Sequence, residues 1–560
     1  MERQAQIKEK QNMIEIDNLL VDMVPGTVHL VDMHGNLNVK KKGDIILQPQ
    51  PTSNPNDPLT WSMSKRIFQF AIVWVWGFFV AVAINWTGPL YGIWEEQLGV
   101  TVNQLGISVA LGFLFLGCGV LLIQPTALKL GKRVVYIAGT IICIVSLAVG
   151  SQATSIDSIY AFKILVGLAA SPCDSLVELS ATDLFFQHER STVIALLVLA
   201  LYAGSFIGPI IAGYIVDGIG WIWCFYIQII IYLSFFLVQL FSMEETTFRR
   251  HLDGEELEED IIQQIRSTEI EGTNRNANDI KGTIEKIAYD EDLETSGSIT
   301  VSRKSYVERM NLVHTDQNDI RSWLCIFYRP FFAWYFPAFV FGGIVYGSQM
   351  MWLLLVANTQ VLIYGSEPYN FSAGSVGLTN LGSLVGTVLG TFYGGNFVDW
   401  LSIKLAKRNK GILEPEFRLW AMVVPTIVNA CGLLAYWLPC ASGKSWAYSV
   451  VLGQGAMGFA MSSSGSICIT YAVDSYPKLA SEGIVLMLFI RNMIGMGFSF
   501  AILPWIERNG LTVTTWLMFM LSVVINGSFI ILIIFGKRLR RWTANVYEKI
   551  SNPEYGELFK

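Results

Sequence analysis

The sequence predicts an all-α membrane protein with twelve transmembrane helices arranged as two six-helix bundles. Three observations predict it. Of 560 residues, 52% are apolar and 15% charged, with a mean hydropathy of +0.45, whereas a soluble domain carries about 25% charged residues. Twelve mainly apolar runs approach the roughly 20 residues needed to cross a bilayer. One long polar stretch divides them six from six.

Taken in order, residues 1–66 are polar, hold Lys40, Lys41, Lys42, Lys65 and Arg66, and show no secretory signal. The first apolar run is therefore expected to act as both address and anchor. Spans are expected at 67–88, 105–127, 134–151, 159–181, 191–215 and 221–243. A second set is expected at 331–357, 374–395, 417–438, 446–471, 484–505 and 513–536. The expected units are thus a terminal region 1–66, a bundle over 67–243, a linker over 244–330, a bundle over 331–536 and a tail over 537–560. The chain is expected to function as a monomer.

Orientation follows from the short loops. Lys129, Lys132 and Arg133 lie between the second and third spans, Lys404, Lys407, Arg408 and Lys410 between the eighth and ninth, and Lys537, Arg538, Arg540 and Arg541 after the twelfth. Loops on the other side hold Glu95, Glu96, Asp157 and Glu367 with few bases, so both termini are expected in the cytoplasm. The linker has 19 Asp or Glu against 11 Lys or Arg, including EELEED at 255–260. Such a composition suits an exposed tether with a short amphipathic helix near 261–265. Asn370-Phe371-Ser372 is a glycosylation sequon in an outer loop.

Charges inside the spans are the strongest functional signal. Lys163, Asp174 and Glu178 share the fourth span. An ionisable group in hydrocarbon is costly, so it faces the bundle interior or a wet cavity and marks a route for ions or substrate. Asp174 and Glu178 are four apart and lie on one helical face, where their repulsion favours one of them holding a proton. A structural ion pair or a snorkelling charge is the plainer alternative. In the eleventh span Arg491 and Asn492 interrupt the apolar run, and Arg491 is expected to pair with Asp174 or Glu178 in a central cavity. Proton coupling is therefore assigned to Glu178, Asp174 and Arg491. Asp174 follows Pro172 and is the preferred substrate carboxylate, with Glu178 as the proton carrier. Asn85 and the aromatic residues Trp86, Trp352 and Tyr471 are expected to line a site for an organic cation. Tyr91, Gln349, Asn358, Asn429 and Gln454 are further polar candidates, each of which also suits a helix-packing contact.

The fifth span contains Gly204, Gly208, Pro209 and Gly213. Small residues at 204, 208 and 212 share one face and permit close approach of another helix, while Pro209 frees a carbonyl and bends the span. No HExxH, P-loop, GxSxG or paired CxxC is present, and the five histidines fall outside the spans. An ATPase or membrane-protease reading therefore lacks its machinery, and no enzyme activity, metal or cofactor is expected. A formal charge of −6 without a continuous basic patch gives no sign of nucleic-acid binding.

Several motifs resemble the major facilitator superfamily, in particular its fungal drug:proton antiporter branch. GSFIGPIIAG at 204–213 is similar to the antiporter signature, with Ala212 where a second glycine is usual. QPTALKLGKR at 124–133 resembles the loop between helices two and three, retaining Gly131, Lys132 and Arg133 but with Leu128 where an acid is usual. Asp399 matches the acidic position of the second-half copy, and Lys163 stands where arginine is usual in helix four. PNDPLTW at 55–61, SATDLFFQHERS at 180–191 and AKRNKGILEPEFRL at 406–419 look most like the yeast histidinol and polyamine permease group. The resemblance implies a twelve-helix fungal plasma-membrane carrier, driven by protons, that takes up small organic cations. Proton-coupled export of drugs or other hydrophobic compounds is the alternative it implies. Gly131, Lys132, Arg133, Asp399, Lys163 and the helix-five series would then be structural or gating residues.

Overall fold

The computed structural model describes residues 24–29, 41–42, 45–46, 57–186, 189–246, 305–311, 322–365, 367–409 and 412–551. The acidic run 255–260 and the helix expected near 261–265 lie outside the described residues.

Six helices build the first half: α1 Met63–Asn85, α2 Val102–Leu130, α3 Lys132–Ser151, α4 Ile156–Leu184, α5 Arg190–Ile219 and α6 Ile222–Ser242. The second half opens with α7 Pro337–Tyr364 and α8 Ala373–Phe392, the latter continuing through a wide turn to Val398–Arg408. After the short turns Glu416–Leu419 and Trp420–Met422 comes α9, Val423–Ala441. Trp446–Tyr448 and another wide turn then lead into α10, Gly455–Ser475. Residues 480–527 are helical throughout except at Gly510, whose φ of 74° and ψ of 156° reverse the chain. Only glycine takes that backbone conformation without strain, so α11 spans 480–509 and α12 runs from 511 through 527 and on along Phe529–Ser551. The fold is all-α, with twelve spanning helices in two bundles.

Two boundaries differ from expectation for clear reasons. The seventh span begins at Pro337, not near 331, because Phe336 is extended, as a residue before proline prefers. The apolar residues just before it form a separate amphipathic helix, Trp323–Phe332. Helix α12 continues well past 536 because the basic tract there is itself helical and anchored: Arg540 makes a two-pronged bond to Glu416, at 2.8 and 2.6 Å.

Within the first half α1 packs on α5, α2 on α4, and α3 on both α4 and α6; within the second, α7 packs on α11, α8 on α10, and α9 on α10 and α12. The halves meet chiefly where α2 crosses α11 and α5 crosses α8. Shifting helix numbers by six turns one crossing into the other, so both express the same internal repeat. The helix-five glycines serve the packing inside the first half. A Cβ on Gly204 would stand 2.3 Å from the Phe78 carbonyl oxygen of α1, and one on Gly208 would stand 3.3 Å from the Val82 Cα. Pro209 faces the other way, where its carbonyl oxygen is 3.0 Å from the position of a Cβ on Gly377 of α8.

Gly208→Leu should therefore destabilise the α1–α5 contact by about 1–3 kcal/mol, the usual cost of overpacking. Thermal unfolding of the purified variant, alongside its surface abundance, checks this; unchanged melting would mean that α1 can give way.

Candidate functional site

A narrow cavity lies between the halves, with walls from α1, α2, α4, α5, α7 and α11. Its free space of about 30 Å³ admits one or two water molecules and no organic cation, so the helices are closed around it. On the wall stand Asp174 of α4, Arg491 of α11, Asn85 of α1, Tyr202 and Ser205 of α5, and Tyr346 and Met350 of α7.

The expected pairing of Arg491 falls on Asp174. Nη2 of Arg491 donates to Oδ2 of Asp174, and the neighbouring Asn492 donates to the same oxygen at 2.9 Å. The guanidinium also lies 4.8 Å from the centre of the Tyr346 ring. Only 1% of Arg491 and 5% of Asp174 is exposed. Because α4 belongs to the first half and α11 to the second, this ion pair joins the bundles at their centre. Glu178 lies one turn along α4, 2% exposed, and neither carboxylate oxygen has a hydrogen-bond partner among the described residues. Asn85 donates to Ser205 at 2.9 Å, linking α1 to α5 on the wall.

Trp86, Trp352 and Tyr471 do not flank the cavity. Trp86 packs edge-on against Phe225 of α6, Trp352 is fully buried away from the wall, and Tyr471 packs against Phe341. The rings on the wall are Tyr202 and Tyr346 instead. A usable signal existed: Tyr202 is three residues from Ser205 and so shares its face, and Tyr346 sits among the small residues of GGIVYGSQ. The other amides hold the second half together. Gln349 donates to Asn526 at 2.9 Å, Asn429 to Ser522 at 2.7 Å and Gln454 to Tyr364 at 3.2 Å. Asn358 bonds back to its own helix at Leu354. Among the described residues Lys163 has no carboxylate partner; its ammonium donates to the Ile84 carbonyl at 3.0 Å and to Thr87 at 2.8 Å. It thus caps the C-terminal end of α1, where the helix dipole favours a cation.

Charged locks cluster at the end that carries the basic loops. Lys132 meets Asp183 of α4 at 2.5 Å, and the backbone amides of Lys132 and Arg133 donate to Glu245 at 3.1 and 2.9 Å. Arg133 also donates to the Leu240 carbonyl at 2.7 Å. Asp183 and Glu245 thereby provide the acidic charge that position 128 lacks, and Gly131, with φ of 97°, makes the turn between α2 and α3. In the second half Arg418 bonds Asp399 at 3.0 Å and Asp474 at 2.8 Å. Asp399 then accepts from the amide and hydroxyl of Thr192, at 3.2 and 3.1 Å, at the start of α5. At the opposite end Asp217 of α5 accepts from the Gly374 amide at the start of α8, at 3.1 Å. Asn370 is exposed in the loop before α8, with φ of 49°.

Residues 73–499 match the Major Facilitator Superfamily. The chain belongs to that superfamily. It is thus a membrane-embedded MFS transporter, from a family of transport proteins that carry out no catalysis. An uncharacterized MFS-type transporter of Schizosaccharomyces pombe is 29% identical over 95% of each chain. Protein HOL1 of Saccharomyces cerevisiae is 27% identical, covering 96% of this chain and 98% of its own. The efflux pump radE of Floropilus chiversii is 23% identical over 87% of this chain and 83% of its own. Among solved structures, the proton:xylose symporter XylE bound to 6-bromo-6-deoxy-D-glucose aligns with a TM-score of 0.52 and 13% identity, over 85% of this chain and 96% of that one. At that identity the fold is what the two share.

Breaking the Asp174–Arg491 pair from either side strands a buried charge, at a cost of about 3–5 kcal/mol. Asp174→Asn and Arg491→Gln should each lower the unfolding temperature, and the double variant should recover part of the loss. A double variant that loses the sum of the two single losses would show that the two residues are not coupled.

Proposed function

We propose that this transporter is proton-coupled and takes up small organic cations of the polyamine type at a fungal plasma membrane. The observation that carries the reading is the Asp174–Arg491 pair across the halves, on a cavity wall, with Glu178 buried one turn away and lacking hydrogen-bond donors among the described residues. Arg491 is an internal cation seated on the carboxylate and ring that an organic ammonium would use. An arriving substrate takes its place on Asp174 and Tyr346, and Arg491 leaves with α11. Releasing the tie between α4 and α11 lets the halves rock. An ionised carboxylate without donors is costly to bury, so Glu178 holds a proton in the closed state and exchanges it when the site opens to water. Asn85 and Ser205 supply neutral polar contacts to the substrate. The motifs that resemble histidinol and polyamine permeases support the cation class.

A second reading is proton-coupled export of drugs or other hydrophobic compounds. The helix-five series Gly204, Gly208, Pro209 and Gly213 resembles the antiporter signature, and one relative is named an efflux pump. In either reading the basic loops, both termini and the 244–330 segment face the cytoplasm, and Asn370 is an outer glycan acceptor. The chain works as a monomer of two bundles.

Purified protein in liposomes, under imposed pH and voltage gradients, is tested with labelled polyamines and with cationic drugs. Polyamine accumulation should rise as the outer solution is acidified; movement that ignores both gradients overturns proton coupling, and outward drug movement alone selects export. Asp174→Asn should weaken cation affinity about tenfold or more, as loss of a charged hydrogen-bond partner predicts. Glu178→Gln should leave binding measurable and flatten the pH response. Wild-type affinity and pH response in both variants would remove the acids from the mechanism.

Tags placed after residue 560 and within 270–300 should be shielded from membrane-impermeant label in intact cells. Labelling of either overturns the orientation.

A further inference from the structure

Ahead of α1 the chain places a short segment on the second half, although the helix that follows belongs to the first. Val28 and His29 pair antiparallel with Leu413 and Ile412, in the loop between α8 and α9. Val24 is only 3% exposed. Arg540 of α12, already held by Glu416, also donates to the Pro25 carbonyl and, at 3.2 Å, to the Thr27 hydroxyl. Gly26, with φ of 79°, lies against the end of α10 so closely that a Cβ would stand 2.4 Å from the Asp474 carbonyl oxygen and 2.7 Å from that of Ser475. Backbone pairing, a buried apolar anchor, a charged clamp and a glycine-only contact thus converge on six residues.

The place where they converge matters. Asp474 holds Arg418, Arg418 holds Asp399, and Asp399 accepts from Thr192 at the start of α5 in the other half. One continuous set of contacts therefore runs from Gly26 to the interface that shuts the basic-loop end. Asp57, where the described first half begins, follows His29 by 57 − 29 = 28 positions, so the segment is not a short leash. Its influence on the halves must pass through those contacts.

We propose that Val24–His29 is an intramolecular strap on the end of α10 and the α8–α9 loop, and that its seating keeps the basic-loop end of the transporter closed. Released, the strap leaves the end of α10 free to shift, which loosens Arg418 and Asp399 and lowers the cost of parting α5 from α8 at that end.

The test uses the full-length chain. Val28→Cys with Leu413→Cys should form a disulfide in membranes under mild oxidation; its absence overturns the docked strap. Cys173 on the cavity wall reports opening, by reaction with an impermeant maleimide in sealed vesicles that expose the C terminus, and mass spectrometry separates it from the exposed Cys118 and Cys431. Gly26→Val and, separately, Val24→Asp should speed that reaction about two- to tenfold, the range set by one net hydrogen bond. Asp399→Asn should speed it too and erase any further effect of Gly26→Val, as residues acting through one contact chain require. Unchanged Cys173 reactivity in both strap variants, or full additivity with Asp399→Asn, overturns the closing role.

Discussion

A charge taken out of water has to be met by another charge or by hydrogen bonds, and at the centre of this molecule one carboxylate and one guanidinium meet that need only together. Asp174 is on α4 and Arg491 on α11, so the electrostatic requirement of each half is satisfied by the other. The closed arrangement of the bundles and the neutrality of the site are then a single condition. In the proposed mechanism a cation or a proton that competes for Asp174 changes both at once. Such a pair contributes little net stability compared with apolar packing of the same volume. In the proposed mechanism its value lies in making the approach of the halves depend on what occupies the site.

The same rule governs the ends of the helices. Each spanning helix leaves amides and carbonyls unsatisfied at its termini, and here several of them are satisfied from the opposite half. Asp399 serves the start of α5 and Asp217 serves the start of α8. The two contacts sit at opposite ends of the one α5–α8 crossing. Between them the helices approach closely, with Gly377 against Pro209. That close contact is where the proposed rocking of the halves would pivot. Lys163 shows a different solution, in which a buried ammonium is held by a carbonyl and a hydroxyl at the end of α1. It needs no acid and does not join the halves.

How far the site could be read in advance depended on the kind of residue. Asp174, Glu178 and Arg491 stood out because ionised groups inside apolar runs are rare and must converge on something. The aromatic residues did not stand out, since a tryptophan or tyrosine is at home in lipid, at an interface or in a core. Trp86, Trp352 and Tyr471 were therefore expected on the wall, and Tyr202 and Tyr346 were found there. The replacement of the acid at 128 by Asp183 and Glu245 was equally invisible, because the substitutes come from α4 and from the chain that follows α6.

The number of spans, their division into six and six, the basic loops and the charged core positions were determined by the sequence alone, because each follows from the local balance of apolar and polar groups against the thickness of a bilayer. The tertiary structure decided which half supplies each partner. It chose Asp174 over Glu178 for Arg491, turned Gly204 and Gly208 towards α1 and Pro209 towards α8, and carried Val24–His29 across to the second half. Those outcomes depend on the rotation and crossing of helices distant in the chain, and helical periodicity alone does not specify which neighbour a given face will meet.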